Sequence, residues 1–126
     1  MKKANGFSKW VCLLLFLTPL AIAQNEHAFY WSSTTGMVDM GTLGGNSSYA
    51  LQINDKGEAV GWSYLADNVT THAFTWTLAG GIVDAGTLPG GCCSQGQGIN
   101  SLGNLTGDAI RSDGYQSPFY WSGGRW

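Results

Sequence analysis

Few side chains in this 126-residue sequence are suited to chemistry, and four of them form two pairs at one interval. The two histidines, His27 and His72, stand 45 residues apart, and Asp39 and Asp84 repeat that spacing. A zinc site draws three or four ligands to one point, usually with a pair close in sequence. Two histidines at equivalent places in successive units belong to neighbouring units instead. There a hydrogen-bonded imidazole helps dock one unit on the next. The acids follow the same logic. Glycoside hydrolysis needs two carboxyl groups about 5 Å apart or somewhat more, once per active site. Asp39 and Asp84 appear in both units, which favours carboxylates that satisfy local backbone groups. Glu58 has no counterpart in kind, since Asn104 takes its place, and a lone Glu beside a turn is ordinarily solvated. No catalytic set and no metal site is assigned, and no cofactor is expected.

The remaining nucleophiles lack partners. Serines are plentiful, but no Gly-x-Ser-x-Gly elbow occurs. Cys92 and Cys93 lie in a glycine-flanked segment that places no histidine beside them, as a cysteine nucleophile requires. Neighbouring Cα atoms sit about 3.8 Å apart where a disulfide prefers about 5.5 Å. A vicinal bridge is therefore strained, and free thiols or intermolecular bridges stay open. Gly96-x-Gly98 is too short for a nucleotide loop, and Asn54-Asp55-Lys56-Gly57 lacks the carboxylate spacing of a calcium loop. Asn46, Asn68 and Asn104 head glycosylation sequons. What remains are aromatics that break the repeat. Trp62 and Tyr64 lie two apart in a strand-like run, hence on one face, and Asp108 and Ile110 stand at their places in the next unit. Tyr49 aligns with Gln95, and Trp126 is the final residue. Aromatics of this kind stack on sugar rings or anchor a protein partner, the alternative being burial between sheets. Trp62, Tyr64 and Tyr49 are the candidate ligand-binding residues.

The elements that must position these residues follow from the repeat. His27-Ala28-Phe29-Tyr30-Trp31 recurs as His72-Ala73-Phe74-Thr75-Trp76 and again as Ser117-Pro118-Phe119-Tyr120-Trp121, at intervals of 45 residues. Met37 to Leu43 matches Ile82 to Leu88. After the extra Pro89, Ile53-Asn54, Gly57 and Gly61 match Ile99-Asn100, Gly103 and Gly107 at an offset of 46. Each unit holds four runs of β character: around Phe29 to Trp31, Met37 to Met40, Tyr49 to Ile53 and Glu58 to Ser63. Asn54 to Gly57 reads as a type I turn with glycine at the left-handed position. The expectation is an all-β fold of tandem four-stranded antiparallel repeats. Four strands per 40 to 45 residues is the spacing of β-propeller blades, here two complete units plus one extra strand. The apolar members, Phe29, Trp31, Phe74, Trp76, Phe119 and Trp121 with Val38, Val83, Ile53 and Ile99, are the expected core.

His-Ala-Phe-x-Trp at 27–31, Val-Asp-x-Gly-Thr-Leu-Gly-Gly at 38–45 and Ile-Asn-Asp-x-Gly-x-x-Val-Gly at 53–61 resemble the HAF family of extracellular repeat proteins. The second copy departs at Pro89, at Gly91-Cys92-Cys93, and at Ser101 and Leu102. The third keeps only its first strand and lacks the histidine. The resemblance covers residues 24–126 as units 27–71, 72–116 and 117–126. It implies an exported, propeller-like repeat protein of unassigned biochemical role, and it carries over no catalytic residue.

Residues 1–23 read as a cleavable secretory signal. Lys2, Lys3 and Lys9 precede an apolar run from Trp10 to Leu20, and Ala21-Ile22-Ala23 is a cleavage pattern. The run is shorter than the roughly 20 apolar residues of a membrane span. A secreted, periplasmic or cell-surface location follows. Beyond the signal only Lys56, Arg111 and Arg125 oppose eight acidic residues. That balance argues against nucleic acid and against anionic membrane surfaces. The expected function is a non-catalytic binding or structural module with a glycan or protein ligand. The alternative is an exported glycan-active enzyme using the repeated acids. Self-association is expected through the terminal strand bearing Phe119 and Trp121, because an unpaired strand edge invites pairing.

Overall fold

The computed structural model describes residues 25–124, so the signal segment and Trp126 lie outside the described residues. The described chain is all-β, with nine strands: β1 (Phe29–Ser32), β2 (Gly36–Asp39), β3 (Gly44–Ile53), β4 (Ala59–Leu65), β5 (Thr71–Thr77), β6 (Gly81–Gly86), β7 (Ser94–Ile99), β8 (Leu105–Ile110) and β9 (Gln116–Trp121). They form three antiparallel sheets in the orders β1-β2, β3-β4-β5-β6 and β7-β8-β9. The four runs expected in each unit are present as strands. Each later sheet, however, takes two strands from the end of one sequence unit and the rest from the start of the next. No helix of the described residues is long and apolar enough to cross a membrane.

The turns explain why both copies fold alike despite their differences. Asn54 Oδ1 accepts hydrogen bonds from the Lys56 and Glu58 amides at 3.0 Å, and Asn100 Oδ1 accepts from Leu102 and Asn104 at the same distance. Gly57 and Gly103 close the two turns at φ +79° and +81°. The turn needs only the Asn acceptor and the left-handed Gly, so Ser101 and Leu102 replace Asp55 and Lys56 at no cost to it.

The four-stranded sheet is the middle layer. Its Ala59, Phe74 and Trp76 pack with Ala28 and Met40 of the two-stranded end, while Tyr30, Val38, Leu43 and Ile82 lie against this cluster. Its Val60, Ala73 and Ala85 pack with Ile99, Leu105, Ala109 and Phe119 of the three-stranded sheet. Each layer therefore turns its Phe-bearing face toward the layer before it. Two buried serines join the layers. Ser48 Oγ accepts from the Ala28 amide at 3.0 Å and donates to the Gly41 carbonyl at 2.6 Å. Ser94 Oγ does the same for the Ala73 amide and the Gly86 carbonyl.

The expected core is only partly the observed one. Phe74, Trp76, Phe119 and Ile99 are buried, and Val38 and Trp121 are partly buried against the two clusters. Phe29 and Trp31 are 57% and 63% exposed, and Ile53 and Val83 are also exposed. The reason is the stacking direction. Among the described residues no layer precedes β1-β2, so its Phe-bearing face is uncovered. Val83 sits on edge strand β6, outside the cluster that Ala85 of the same strand joins. The third-copy strand joins the three-stranded sheet as its edge strand. β9 pairs with β8 in the register that β5 keeps with β4, and Phe119 is 8% exposed.

A candidate aromatic binding face

β4 places Trp62 and Tyr64 on one face of the middle sheet, because successive side chains alternate and these are two apart. β3 runs antiparallel to it with Tyr49 directly opposite Trp62. Trp62 touches both tyrosine rings. Tyr49 and Trp62 stack with centroids 4.4 Å apart and planes at 28°. Trp62 and Tyr64 meet edge to face at 5.6 Å and 82°. All three are half-buried, although Val60, two residues earlier on the same face, is fully buried under the three-stranded sheet. The cluster thus lies where that cover runs out. Packing between sheets and exposure to a ligand, opposed as alternatives from sequence, each describe part of these side chains.

Polar groups flank the rings. The Tyr49 hydroxyl donates to Glu26 Oε2 at 2.6 Å, and this bond pushes the Tyr49 phenol above its ordinary value. Glu26 is held in turn by its carbonyl, which accepts from the Ser48 amide at 2.8 Å. Thr71 faces Tyr64 across the β4–β5 pair. It also lines a cleft of about 260 Å³ together with Gln95, Asp108 and Gln116. Glu26 and this cleft were not foreseen. Glu26 stands outside the repeat, and the cleft joins strands from two layers. The only sequence signal for either was that Trp62 and Tyr64 depart from the repeat.

The residues suited to chemistry are tied up locally. His27 Nδ1 lies 2.8 Å from Asp39 Oδ2, and His72 Nδ1 lies 3.0 Å from Asp84 Oδ2. Each carboxylate also accepts from the glycine amide two residues on, at 2.7 Å from Gly41 and 2.6 Å from Gly86. Each histidine therefore braces its own hairpin and does not dock one unit on the next. The Gly41 amide, and after it His27, hold the Asp39 carboxyl below its usual value of 3.8. Glu58 Oε2 accepts from Asn54 Nδ2 at 2.6 Å. Cys92 and Cys93 are separate thiols, and their hydrogen bond raises the Cys92 pKa, which weakens it as a nucleophile. Among the described residues no three His, Cys, Asp or Glu side chains are grouped to hold a metal ion.

The chain matches no known family model, no curated protein and no solved structure. The likeness to the HAF repeats rests on the motifs at 27–31, 38–45 and 53–61 alone.

Proposed function

We propose that this protein is an exported, non-catalytic binding module that recognises glycans through Tyr49, Trp62 and Tyr64. One observation carries the reading: three half-buried rings, with Trp62 in contact with both tyrosines, beside a cleft lined with Thr71, Gln95, Asp108 and Gln116. Rings of this kind cover the apolar faces of sugars, while amide, hydroxyl and carboxylate groups take the sugar hydroxyls. The non-catalytic part is supported by the matched histidine–aspartate pairs, since Asp39 and Asp84 each serve their own hairpin. The motifs favour the HAF repeat family, and layers stacked in one direction favour propeller-like blades. Export rests on the signal pattern of residues 1–23.

A glycan array on the purified protein tests this reading. At least one oligosaccharide class should bind, and Trp62→Ala and Tyr64→Ala should each weaken that binding at least tenfold while the circular dichroism spectrum is retained. An array without hits, or hits that both variants retain, would refute it.

A further inference from the structure

We propose that β1 carries a second binding site, a slot for one extended strand of another protein chain whose sequence follows the pattern of β4 and β8. The molecule itself shows what belongs there. Beside β5 lies β4, with Ala59 opposite Trp76 and Gly61 opposite Phe74. Beside β9 lies β8 in the same register, with Leu105 opposite Trp121 and Gly107 opposite Phe119. β1 is the remaining strand of this type. It carries Phe29 and Trp31 at the matching positions, and among the described residues nothing pairs with its outer edge.

The space beside that edge has the form a strand needs. A groove of about 500 Å³ runs there, walled by Phe29, Tyr30 and Trp31 and floored by Leu51, Ile53 and Ala59. Leu51 and Ile53 belong to β3, the counterpart of β7, and β7 is the strand that packs against β4 in the next layer. The groove floor is thus the surface that elsewhere lies against a strand of the β4 type. Both residues are about half exposed, at 53% and 48%. An unpaired edge over an apolar floor captures extended peptides, with main-chain hydrogen bonds giving affinity and alternating side chains giving specificity.

The specificity can be stated. A Cβ added to Gly107 would fall 1.9 Å from the Gln95 carbonyl oxygen of β7 and 3.0 Å from the tip of the Phe119 ring, so β7 rather than the ring demands glycine there. A strand entering beside β1 meets Phe29 at the same place. The acceptable pattern is small or apolar at alternate positions, as in Leu105-x-Gly107-x-Ala109 and Ala59-x-Gly61-x-Ser63.

The test is a fluorescently labelled peptide with the sequence of residues 104–111, titrated against the whole protein by anisotropy. Saturable one-to-one binding is expected. The protein variant Leu51→Lys/Ile53→Lys should lose at least tenfold while its dichroism and melting temperature stay unchanged, because both side chains are exposed. Absence of saturable binding or full binding by the lysine variant would each overturn the proposal. Displacement of the peptide on raising the protein concentration would also overturn it, by assigning the slot to a second copy of this chain.

Discussion

Phe29-Tyr30-Trp31 and Phe74-Thr75-Trp76 occupy the same position in successive repeats, pair with equivalent hairpin partners and are preceded by the same His-Ala. Yet Phe74 and Trp76 are 0% and 3% exposed, whereas Phe29 and Trp31 stand mostly in solvent. The difference lies outside the strands. Phe74 and Trp76 face Ala28, Tyr30 and Met40 of the layer before them, with Tyr30 and Trp76 at a centroid distance of 5.3 Å. No described layer stands before Phe29. The motif therefore encodes one half of an interface, and the neighbouring layer decides whether it becomes core or binding surface.

The sharpest way to break this comparison is truncation at the two equivalent phenylalanines. Phe74→Ala empties a fully buried site and should cost about 3–5 kcal/mol. Phe29→Ala removes an exposed ring and should stay within about 0.5 kcal/mol. Urea denaturation of both variants measures the contrast. Equal losses would mean that the β1 face is covered in solution. Next in size are the two serines. Ser94→Ala and Ser48→Ala leave the buried Ala73 and Ala28 amides without their acceptors, and each should cost about 1–3 kcal/mol. A loss at Ser94 alone would show that the two-stranded layer contributes little to global stability.

Much of this architecture was legible in advance. The 45-residue period gave the strands, the alternation gave their faces, and Asn54 with Gly57 gave a turn that Asn100 with Gly103 repeats. What could not be read was the partition of strands into sheets. Periodicity marks where a unit recurs but not where a sheet begins, so β3 and β4 join β5 and β6 across the unit boundary. That misplacement led to the wrong expectations for Phe29 and Ile53. For the candidate site, the break in repetition at Trp62, Tyr64 and Tyr49 marked residues that the fold brings into contact. Glu26 and the cleft depend on approaches between distant segments. The joining serines, Ser48 and Ser94, recur 46 residues apart, but serine is too common here for that recurrence to stand out.

The smallest expected effect concerns the exposed end layer and its dependence on pH. Asp39 is held below its ordinary value by the Gly41 amide first and by His27 second. A carboxyl whose folded pKa lies below its unfolded value stabilises the fold while it is ionised in both states, above about pH 4. That contribution falls away as the pH drops through the folded value, because protonation there removes the anion that the amide and imidazole favour. Asp39→Asn keeps an oxygen to accept from Gly41 but cannot titrate. The wild-type denaturation midpoint should therefore fall more steeply between about pH 5 and pH 2 than that of the variant. Asp67 is lowered as well, mainly by the Thr70 hydroxyl, so Asp67→Asn serves as a control in the β4–β5 turn. The Asp39 side chain is 62% exposed, so solvent screens the pair and the difference in slope should be slight. Identical slopes for the wild type and Asp39→Asn would mean that the His27–Asp39 brace is not maintained in solution. The two-stranded layer would then frays at its outer edge, where the middle layer, with Phe74 sealed beneath it, does not.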